Sequence, residues 1–434
     1  MLLPTLRRVL ICIAFNICCT SSSVYYSERS SWENDEVVQR LRDYLKIPSV
    51  HPNPDYGDCV IFLRNQAKLL DLPVAVYELV PKKPVVVITW IGVHPELPSI
   101  LLNSHMDVVA VYEDLWTSPP FAANITEDGW IIARGSQDMK SVGMMHLEAV
   151  RRLKNAGVRL QRTVHISFVP DEEINSVDGM HKFAASEHFT KLNVGFSLDE
   201  SAPTLSDTVI KAFHGERTPR QIKVTSRGKP GHGTKLASNT AGEKLLYVIN
   251  KLMELRAQQK MLFDSGILLG ELITINLTQL EGGIQVNVLP ENLTATFDIR
   301  LPPSEDHDEF EKKILTWCKE AGDGVTFQYI EKNPVSQETK IDGSNPFWMA
   351  LYGAVKDMGL DISSVICPGA TDARFLREQG IPVINFSPIL NTPGLTHADD
   401  ERIHVDAYKR GIDIMEKVLV AVATVQEQNS LFFM

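Results

Sequence analysis

The chain has 434 residues, of which 44% are hydrophobic and 22% are charged, and its formal net charge is −11 at pH 7. This length favours two domains over one, and the composition is that of a globular protein rather than of a disordered or membrane-embedded one. Because an acidic protein repels nucleic acids and anionic lipid surfaces, we expect a small-molecule partner and no nucleic acid.

The N-terminal residues 1–23 are predicted to be a secretory signal peptide. Arg7 and Arg8 precede the apolar stretch 9–19, and the small residues Thr20 to Ser23 follow it, which is the order of regions in a cleaved signal. The apolar stretch is short for a membrane-spanning helix, so an uncleaved signal anchor is the weaker alternative. We therefore expect a secreted protein with no stable membrane association after cleavage. Glycosylation would be possible on that route at Asn124, Asn276 and Asn292.

Helical and strand-like segments alternate in the first half of the chain. Apolar residues at helical spacing predict helices over 35–47, 58–70 and 139–155. Continuous apolar runs predict strands over 74–80, 85–91, 99–102 and 163–169. Such alternation predicts an α/β fold whose sheet is mostly parallel, with helices on both faces. We assign residues 24–211 to the first part of this catalytic domain.

The pattern changes near residue 212. Alternating apolar and polar residues predict half-exposed strands over 220–226, 272–280 and 293–301, and helical spacing predicts helices over 240–258 and 305–320. This pattern is typical of two helices on an antiparallel sheet, so we predict a smaller α+β insertion over residues 212–325. Buried-strand character returns from Phe347, and a terminal helix follows over 405–425. Residues 326–434 are then the second part of the catalytic domain.

Histidine and carboxylate residues follow several of the predicted buried strands. His105 and Asp107 end one strand, and Asp138 lies in a turn before a helix. Residues two apart on an extended backbone point the same way, so the Asp107 carboxylate could hold the His105 imidazole in the tautomer that a metal needs. Taken singly, a His-x-Asp pair is usually structural, and Asp138 could be a simple helix cap.

Further acids occur at the ends of two later strands and around one histidine. Asp171, Glu172 and Glu173 follow one strand directly, Asp199 and Glu200 follow another, and His397 stands among acids near the C-terminus. A charge run is usually a solvated face, but these runs adjoin core strands, and sites in parallel sheets lie at that edge. Two imidazoles and several carboxylates suit zinc, and a shared carboxylate suits a two-metal site.

The motifs, taken together, resemble the M20 family of dizinc metallopeptidases and amidohydrolases. Their order and spacing match from about Asp35 to the C-terminus: Ser-His-x-Asp-Val-Val at 104–109, Trp-x-x-x-Arg-Gly-x-x-Asp-Met-Lys at 130–140, Pro-Asp-Glu-Glu at 170–173, Leu-Asp-Glu at 198–200, Gly-His-Gly at 231–233, and the His397 segment. Residues 116–121 and 369–374 are similar to the aminoacylase-1 branch of that family. Ser201, where that branch usually has glycine, and the secretory signal depart from the pattern.

The resemblance implies two zinc ions per subunit and assigns their ligands. His105 and Glu200 would bind one zinc, Glu173 and His397 the other, and Asp138 would bridge both. The Leu-Asp-Glu run leaves Asp199 as the alternative to Glu200. The resemblance also implies that Asp107 orients His105 and that Glu172 is the general base.

The resemblance further implies a homodimer formed by the inserted domain. His232 would then act in the partner's site, and Asn287, Arg300 and Thr371 would bind substrate. The implied activity is zinc-dependent hydrolysis of N-acyl-L-amino acids to a carboxylate and a free amino acid. Another activity of the family, such as a dipeptidase or carboxypeptidase, and a zinc-free binding protein on the same fold are the alternatives. The family also makes a cytoplasmic location the alternative to secretion.

Overall fold

Two compact units make up the computed structural model, which describes residues 31–426. The larger unit comprises the chain up to Ala212, Lys340–Ser364 and the chain from Ile381, and the smaller unit comprises Phe213–Thr339 and Val365–Gly380. The predicted signal peptide lies outside the described residues. Within 31–426, no helix is long and apolar enough to cross a membrane.

The helices and strands are numbered in chain order. The helices are α1 Glu36–Leu45, α2 Gly57–Leu69, α3 Lys140–Asn155, α4 Met180–Ala184, α5 Glu187–Thr190, α6 Ala241–Asp264, α7 His307–Ala321, α8 Pro346–Asp357, α9 Ala373–Glu378 and α10 Val405–Ala423. The strands are β1 Val74–Val80, β2 Lys83–Trp90, β3 Ser99–His105, β4 Asn124–Ile125, β5 Trp130–Ile132, β6 Val164–Val169, β7 Val194–Asp199, β8 Val209–Glu216, β9 Thr218–Arg227, β10 Gly231–His232, β11 Thr274–Gly282, β12 Val288–Leu289, β13 Asn292–Leu301, β14 Val325–Lys332, β15 Asp361–Cys367, β16 Val383–Phe386 and β17 Arg402–His404.

One sheet has eight strands in the order β1-β2-β6-β3-β7-β16-β8-β15, and the first six strands of this order lie wholly in the larger unit. Strands β6, β3, β7 and β16 run parallel, whereas β1 and β2 pair antiparallel at one side. The predicted α/β fold with a mostly parallel sheet is therefore confirmed. Because parallel strands end at the same edge, the residues that follow β3, β6 and β7 are brought side by side, with His105 opposite Val169.

Helix α3 packs directly on the sheet beneath that edge. Gly143 makes this approach possible, since a Cβ there would lie 2.5 Å from Ser104 Oγ and 3.0 Å from Phe168. Gly411 of α10 similarly accepts Met145 of α3, whose Sδ would lie 2.7 Å from an added Cβ. Fully burying a side chain such as Phe168 stabilises the fold by about 1.5–3 kcal/mol. The start of α3, and with it Asp138, is thus fixed relative to the strand ends.

The smaller unit contains a four-stranded antiparallel sheet in the order β11-β13-β9-β14. Helices α6 and α7 contribute Val248 and Ile314 to a core that also holds Ile222 and Phe297 of the sheet. This unit extends to Thr339 instead of ending at 325, because β14 pairs with β9 as the fourth strand of its sheet. It also includes residues Val365–Gly380.

Candidate metal centre

His105, at the end of β3, has one ring nitrogen committed to the backbone. Its Nδ1 lies 2.9 Å from the main-chain oxygen of Asp107. A carbonyl oxygen only accepts hydrogen bonds, so Nδ1 carries a proton, which leaves Nε2 as the ring nitrogen that could bind a metal. The Asp107 carboxylate is farther from Nδ1, at 3.7 Å. The main-chain oxygen of Asp107, more than its side chain, therefore sets the tautomer that a metal ligand needs.

The buried carboxylate of Asp107 instead holds the turn after β6. It accepts hydrogen bonds from the backbone N–H groups of Glu172 and Glu173 at 3.2 and 3.1 Å, and its Oδ2 lies 2.8 Å from His51 Nε2. Asp171, the first acid of this turn, is paired with the Lys83 ammonium at 2.6 Å. These contacts fix the backbone that carries Glu172 and Glu173.

Asp138 stands between the two histidines. Its Oδ1 lies 3.1 Å from His105 Nε2, and its Oδ2 lies 3.2 Å from His397 Nε2. The Oε2 atom of Glu200 is 3.4 Å from His105 Nε2, and the Oε2 atom of Glu173 is 3.0 Å from His397 Nε2. We call these five residues the metal-ligand cluster. Each half has one imidazole, one glutamate and one oxygen of Asp138.

The spacing within each half fits a tetrahedral zinc ion. Ligand atoms about 2.0–2.1 Å from such an ion lie about 3.3 Å from one another, and the distances in the cluster are 3.0–3.4 Å. The Oε1 atom of Glu173 is buried without a hydrogen-bond partner in the described part of the chain. Such an orphaned carboxylate oxygen is expected where a cation supplies the missing interaction. The donor set therefore fits two divalent ions that share Asp138.

The shifted pKa values of the cluster residues also fit a site for divalent cations. Burial and the charge of Asp138 raise the pKa of Glu173 and raise that of Glu200 well above its usual value. Burial would also raise the pKa of Asp138, but hydrogen bonds with His105 and His397 hold it well below the usual range. Hydrogen bonds with Asp138 and Glu173 raise the pKa of His397 to about 10. Divalent cations would offset the repulsion among these carboxylates and keep all of them ionised.

The two acids at the end of β7 have different surroundings. The Oδ1 atom of the buried Asp199 accepts a hydrogen bond from the Asn103 amide at 3.1 Å. The Glu200 carboxylate approaches His105, with its Oε2 3.4 Å from Nε2. Glu172 also belongs to this region, because one oxygen from it, one from Glu200 and a ring nitrogen of His105 all lie within 4.8 Å of one another.

The other predicted site residues lie in the smaller unit. His232 is exposed on the short β10–β12 ribbon, where Asn287 O accepts a hydrogen bond from Gly233 N at 2.8 Å. The Thr234 N–H donates to His232 Nδ1 at 3.3 Å, which leaves Nε2 as the protonated ring nitrogen. The Arg300 guanidinium makes two hydrogen bonds to Asp298, at 2.9 and 3.0 Å. The hydrogen bond between Gly233 and Asn287 makes His232 and Asn287 neighbours on the ribbon.

Thr371 is buried in the same unit, next to a buried acid. Its hydroxyl donates to Glu216 Oε2 at 2.9 Å, and Arg377 Nη1 lies 3.3 Å from the same oxygen. Burial raises the pKa of Glu216, and the positive charge of Arg377 opposes that rise. The Thr371 hydroxyl thus has a protein partner in the isolated chain.

Sequence reasoning gave no role to four residues that support the cluster: His51, Arg134, Gln137 and Glu401. Each of them is buried and contacts a segment that carries cluster residues. Burial of a polar or charged side chain is costly without partners. Four such buried residues around the cluster therefore indicate a defined hydrogen-bond network. Their partners are mostly backbone groups, which leave no trace in the sequence pattern.

Several known proteins are similar to this chain in sequence or in fold. Residues 101–421 match the model of peptidase family M20/M25/M40. Aminoacylase-1 of Mus musculus is 45% identical over 390 residues, which cover 89% of this chain and 95% of that protein. A metallo-carboxypeptidase of the M20 family from Sulfolobus solfataricus has the same fold, with a TM-score of 0.71, 19% identity and coverage of 90% of this chain and 99% of that one.

A second solved structure, a dinuclear metal binding peptidase of the M20 family from Bacillus subtilis, is also similar to this chain. Its TM-score is 0.65 and its identity is 16%, over 90% of this chain and 98% of that one. At such identities the likeness is one of fold. The family match and the aminoacylase-1 relative, which span most of the chain, confirm the resemblance seen in the motifs: the chain belongs to peptidase family M20/M25/M40.

Proposed function

We propose that this protein is a dizinc amidohydrolase that cleaves N-acyl-L-amino acids into a carboxylate, such as acetate, and a free L-amino acid. The observation that carries the proposal is the position of Asp138, whose two oxygens each face one histidine, in a chain 45% identical to aminoacylase-1. His105 and Glu200 would hold one zinc, Glu173 and His397 the other, and Asp138 would bridge them. When bound, the two ions would polarise the amide carbonyl and acidify the attacking water.

Glu172 is the general base in this proposal. Its backbone is held by Asp107, and its carboxylate lies beside His105 and Glu200. It would take the proton from the attacking water and return it to the leaving amine, the two proton transfers that amide hydrolysis requires. Asp107 supports this role by fixing Glu172 and Glu173 through consecutive backbone N–H groups.

The residues of the smaller unit would bind the substrate. An arginine suits the planar α-carboxylate of an N-acyl amino acid because it can donate two parallel hydrogen bonds. Arg300, whose guanidinium is already aligned by Asp298, is the proposed carboxylate ligand, with Asn287 and Thr371 as further substrate contacts. His232 would donate from Nε2 to the oxyanion that forms during attack.

We further propose that His232 acts across a homodimer. Ile284 and Val286, in the segment just before Asn287, are fully exposed, and Leu236 near His232 is fully exposed as well. Apolar side chains in such a group usually become covered by a partner. Covering this ribbon with a second copy would bury them and deliver His232 to the partner's site.

We also propose that residues 1–23 direct the protein into the secretory pathway and are then cleaved off. The arginines at 7 and 8, the apolar stretch 9–19 and the small residues that follow support this location. Removal of the segment takes away two arginines and no acid, so the formal charge falls from −11 to −13.

A substrate panel tests the proposed activity. We expect the zinc-loaded protein to hydrolyse N-acetyl-L-methionine and related N-acetyl-L-amino acids and to leave the D-enantiomers intact. Dipeptides with a free amino group and peptides cleaved at the C-terminus should react far more slowly. Faster cleavage of either peptide class would assign a dipeptidase or carboxypeptidase activity instead. A pure, folded protein that binds no metal and cleaves nothing would indicate a binding protein.

A further inference from the structure

Glu401 is a fully buried carboxylate whose hydrogen bonds all go to one segment of the chain. Its Oε2 accepts from Arg134 Nη1 at 2.8 Å and from Gly135 N at 3.1 Å. Its Oε1 accepts from Gln137 N at 2.6 Å and from Asp138 N at 3.2 Å. The segment held in this way ends at Asp138, the bridging member of the metal-ligand cluster.

The same segment holds the loop that carries His397. Arg134 Nη1 donates to the main-chain oxygen of Ala398 at 3.0 Å. The Gln137 amide donates to the main-chain oxygens of Pro393 and Arg402 at 2.9 and 2.7 Å and accepts from Leu395 N at 2.8 Å. The two segments are therefore tied in both directions, and each carries one member of the cluster.

The loop needs this support because of its backbone conformation. His397 and Asp400 have φ values of 63° and 54°, in the left-handed region that side chains other than glycine seldom adopt. Such residues keep that conformation only where surrounding contacts determine it. Arg134 and Gln137 contact this loop, and Glu401 holds the segment that carries them. Thr117 also donates from its N–H and its hydroxyl to Asp400 Oδ1, at 2.8 and 3.0 Å.

We propose that Glu401 is a positioning residue that sets the separation of Asp138 and His397. It thereby sets the affinity for the ion that Glu173 and His397 would hold, which we call the second ion. This inference rests on the proposed dizinc function. Glu401 touches no cluster side chain among the contacts described above and acts through the backbone of Asp138 and through Arg134. Both of its oxygens already accept two N–H groups each, so a glutamine amide in either orientation would face donors.

Glu401→Gln tests the proposal, and Glu148→Gln is its matched control. Glu148 is also a buried carboxylate of the larger unit, and it is paired with an arginine, since Arg40 donates to it from Nε at 2.6 Å and Nη2 at 2.9 Å. Both variants lose a buried charge pair, so both should melt below the wild type. Only the first should alter metal binding.

The measurement is zinc per chain in the full-length protein after equilibration with chelator-buffered free zinc over several decades. Removal of a residue that supports a metal ligand from outside typically weakens metal affinity about 10–100-fold. We expect that loss for the second ion in Glu401→Gln, an unchanged profile in Glu148→Gln, and an intermediate loss in Glu401→Asp, which keeps the charge but shortens the reach. Unchanged zinc profiles in both Glu401 variants, or equal losses in the control, would overturn the inference.

Two further outcomes are distinguishable. If Glu401→Gln does not fold, Glu401→Asp gives the test, because it keeps the charge beside Arg134 and shortens the reach to Gln137 N and Asp138 N, and a selective loss of the second ion is expected. An unchanged profile in that variant would overturn the inference. A wild type that never binds two ions would instead refute the proposed function itself.

Discussion

Glu172 and Glu173 are adjacent in the chain, yet they have different roles in the proposed mechanism. Glu172 moves protons, whereas Glu173 holds a metal ion with His397, whose Nε2 lies 3.0 Å from its Oε2. Asp107 binds the backbone N–H of each, and a glutamine at either position preserves those hydrogen bonds. The two substitutions therefore change one carboxylate each on the same fixed turn.

Glu172→Gln should keep two zinc ions and lose turnover. A general acid or base typically contributes about 10²–10⁴ in rate, so kcat should fall by at least that range, while KM changes little. Each factor of ten corresponds to about 1.4 kcal/mol of activation free energy, so the loss is about 3–5.5 kcal/mol. The thermal midpoint should stay near that of the wild type because metal binding persists.

Glu173→Gln should lose one zinc ion and stability with it. An ion that binds only the folded protein, at a free concentration of 100 times its Kd, stabilises by about 2.7 kcal/mol, which this variant would forfeit. The assay is zinc per chain, thermal midpoint and kcat on N-acetyl-L-methionine for the two variants beside the wild type. The reasoning is refuted if Glu172→Gln loses zinc while Glu173→Gln keeps both ions, or if both variants remain active.

Three other predictions concern assembly, acid stability and processing. Mixing inactive His232→Ala and Glu172→Gln proteins should restore about a quarter of wild-type activity, because half of the randomly formed symmetric dimers are mixed and each has one intact site; no recovery after demonstrated subunit exchange would exclude a shared site. Burial lowers the pKa of His146 to about 3, and neither ring nitrogen has a partner within the described residues. As pH falls below about 6.5, the unfolded chain takes up a proton on this histidine whereas the folded chain keeps it neutral, so the free energy of unfolding falls by about 2 kcal/mol between pH 7 and 5. His146→Met should therefore flatten the fall in thermal midpoint over that interval, and an equally steep fall would contradict this. Edman sequencing of the protein from its native source should start between Ser22 and Tyr25, and a retained Met1 on a cytosolic protein would contradict the signal peptide.

The strand ends of the larger unit could be predicted from the sequence because buried parallel strands leave a strong pattern. Continuous apolar runs that stop at His105, at Asp171 and at Asp199 locate one edge of one sheet. The sharing of Asp138 between two histidines could not be derived in that way, because it depends on the turn before α3 and on a loop more than 250 residues farther along the chain. That assignment came from the family resemblance.

The supporting residues and one boundary were missed for physical reasons. Glu401 binds backbone N–H groups and His51 binds Asp107 across 56 positions, so neither forms a local motif. Buried-strand character was expected from Phe347, but the residues there form helix α8, which Asn345 caps and Pro346 opens. The apolar run after Phe347 obscured this helix-start signal. Strand β14 alternates exposed and half-buried residues, so its place in the smaller unit follows only from its pairing with β9.

A zinc titration of the metal-free protein tests the central claim most directly, with zinc content and hydrolysis of N-acetyl-L-methionine followed in the same samples. We predict that activity is absent without metal, rises with added zinc and reaches its plateau at two ions per chain. We also predict that Asp138→Asn, which weakens the bridge between the two halves of the cluster, neither binds two ions at those concentrations nor reaches that plateau. Full hydrolysis by the metal-free protein, or an Asp138→Asn titration that matches the wild type, would contradict the account.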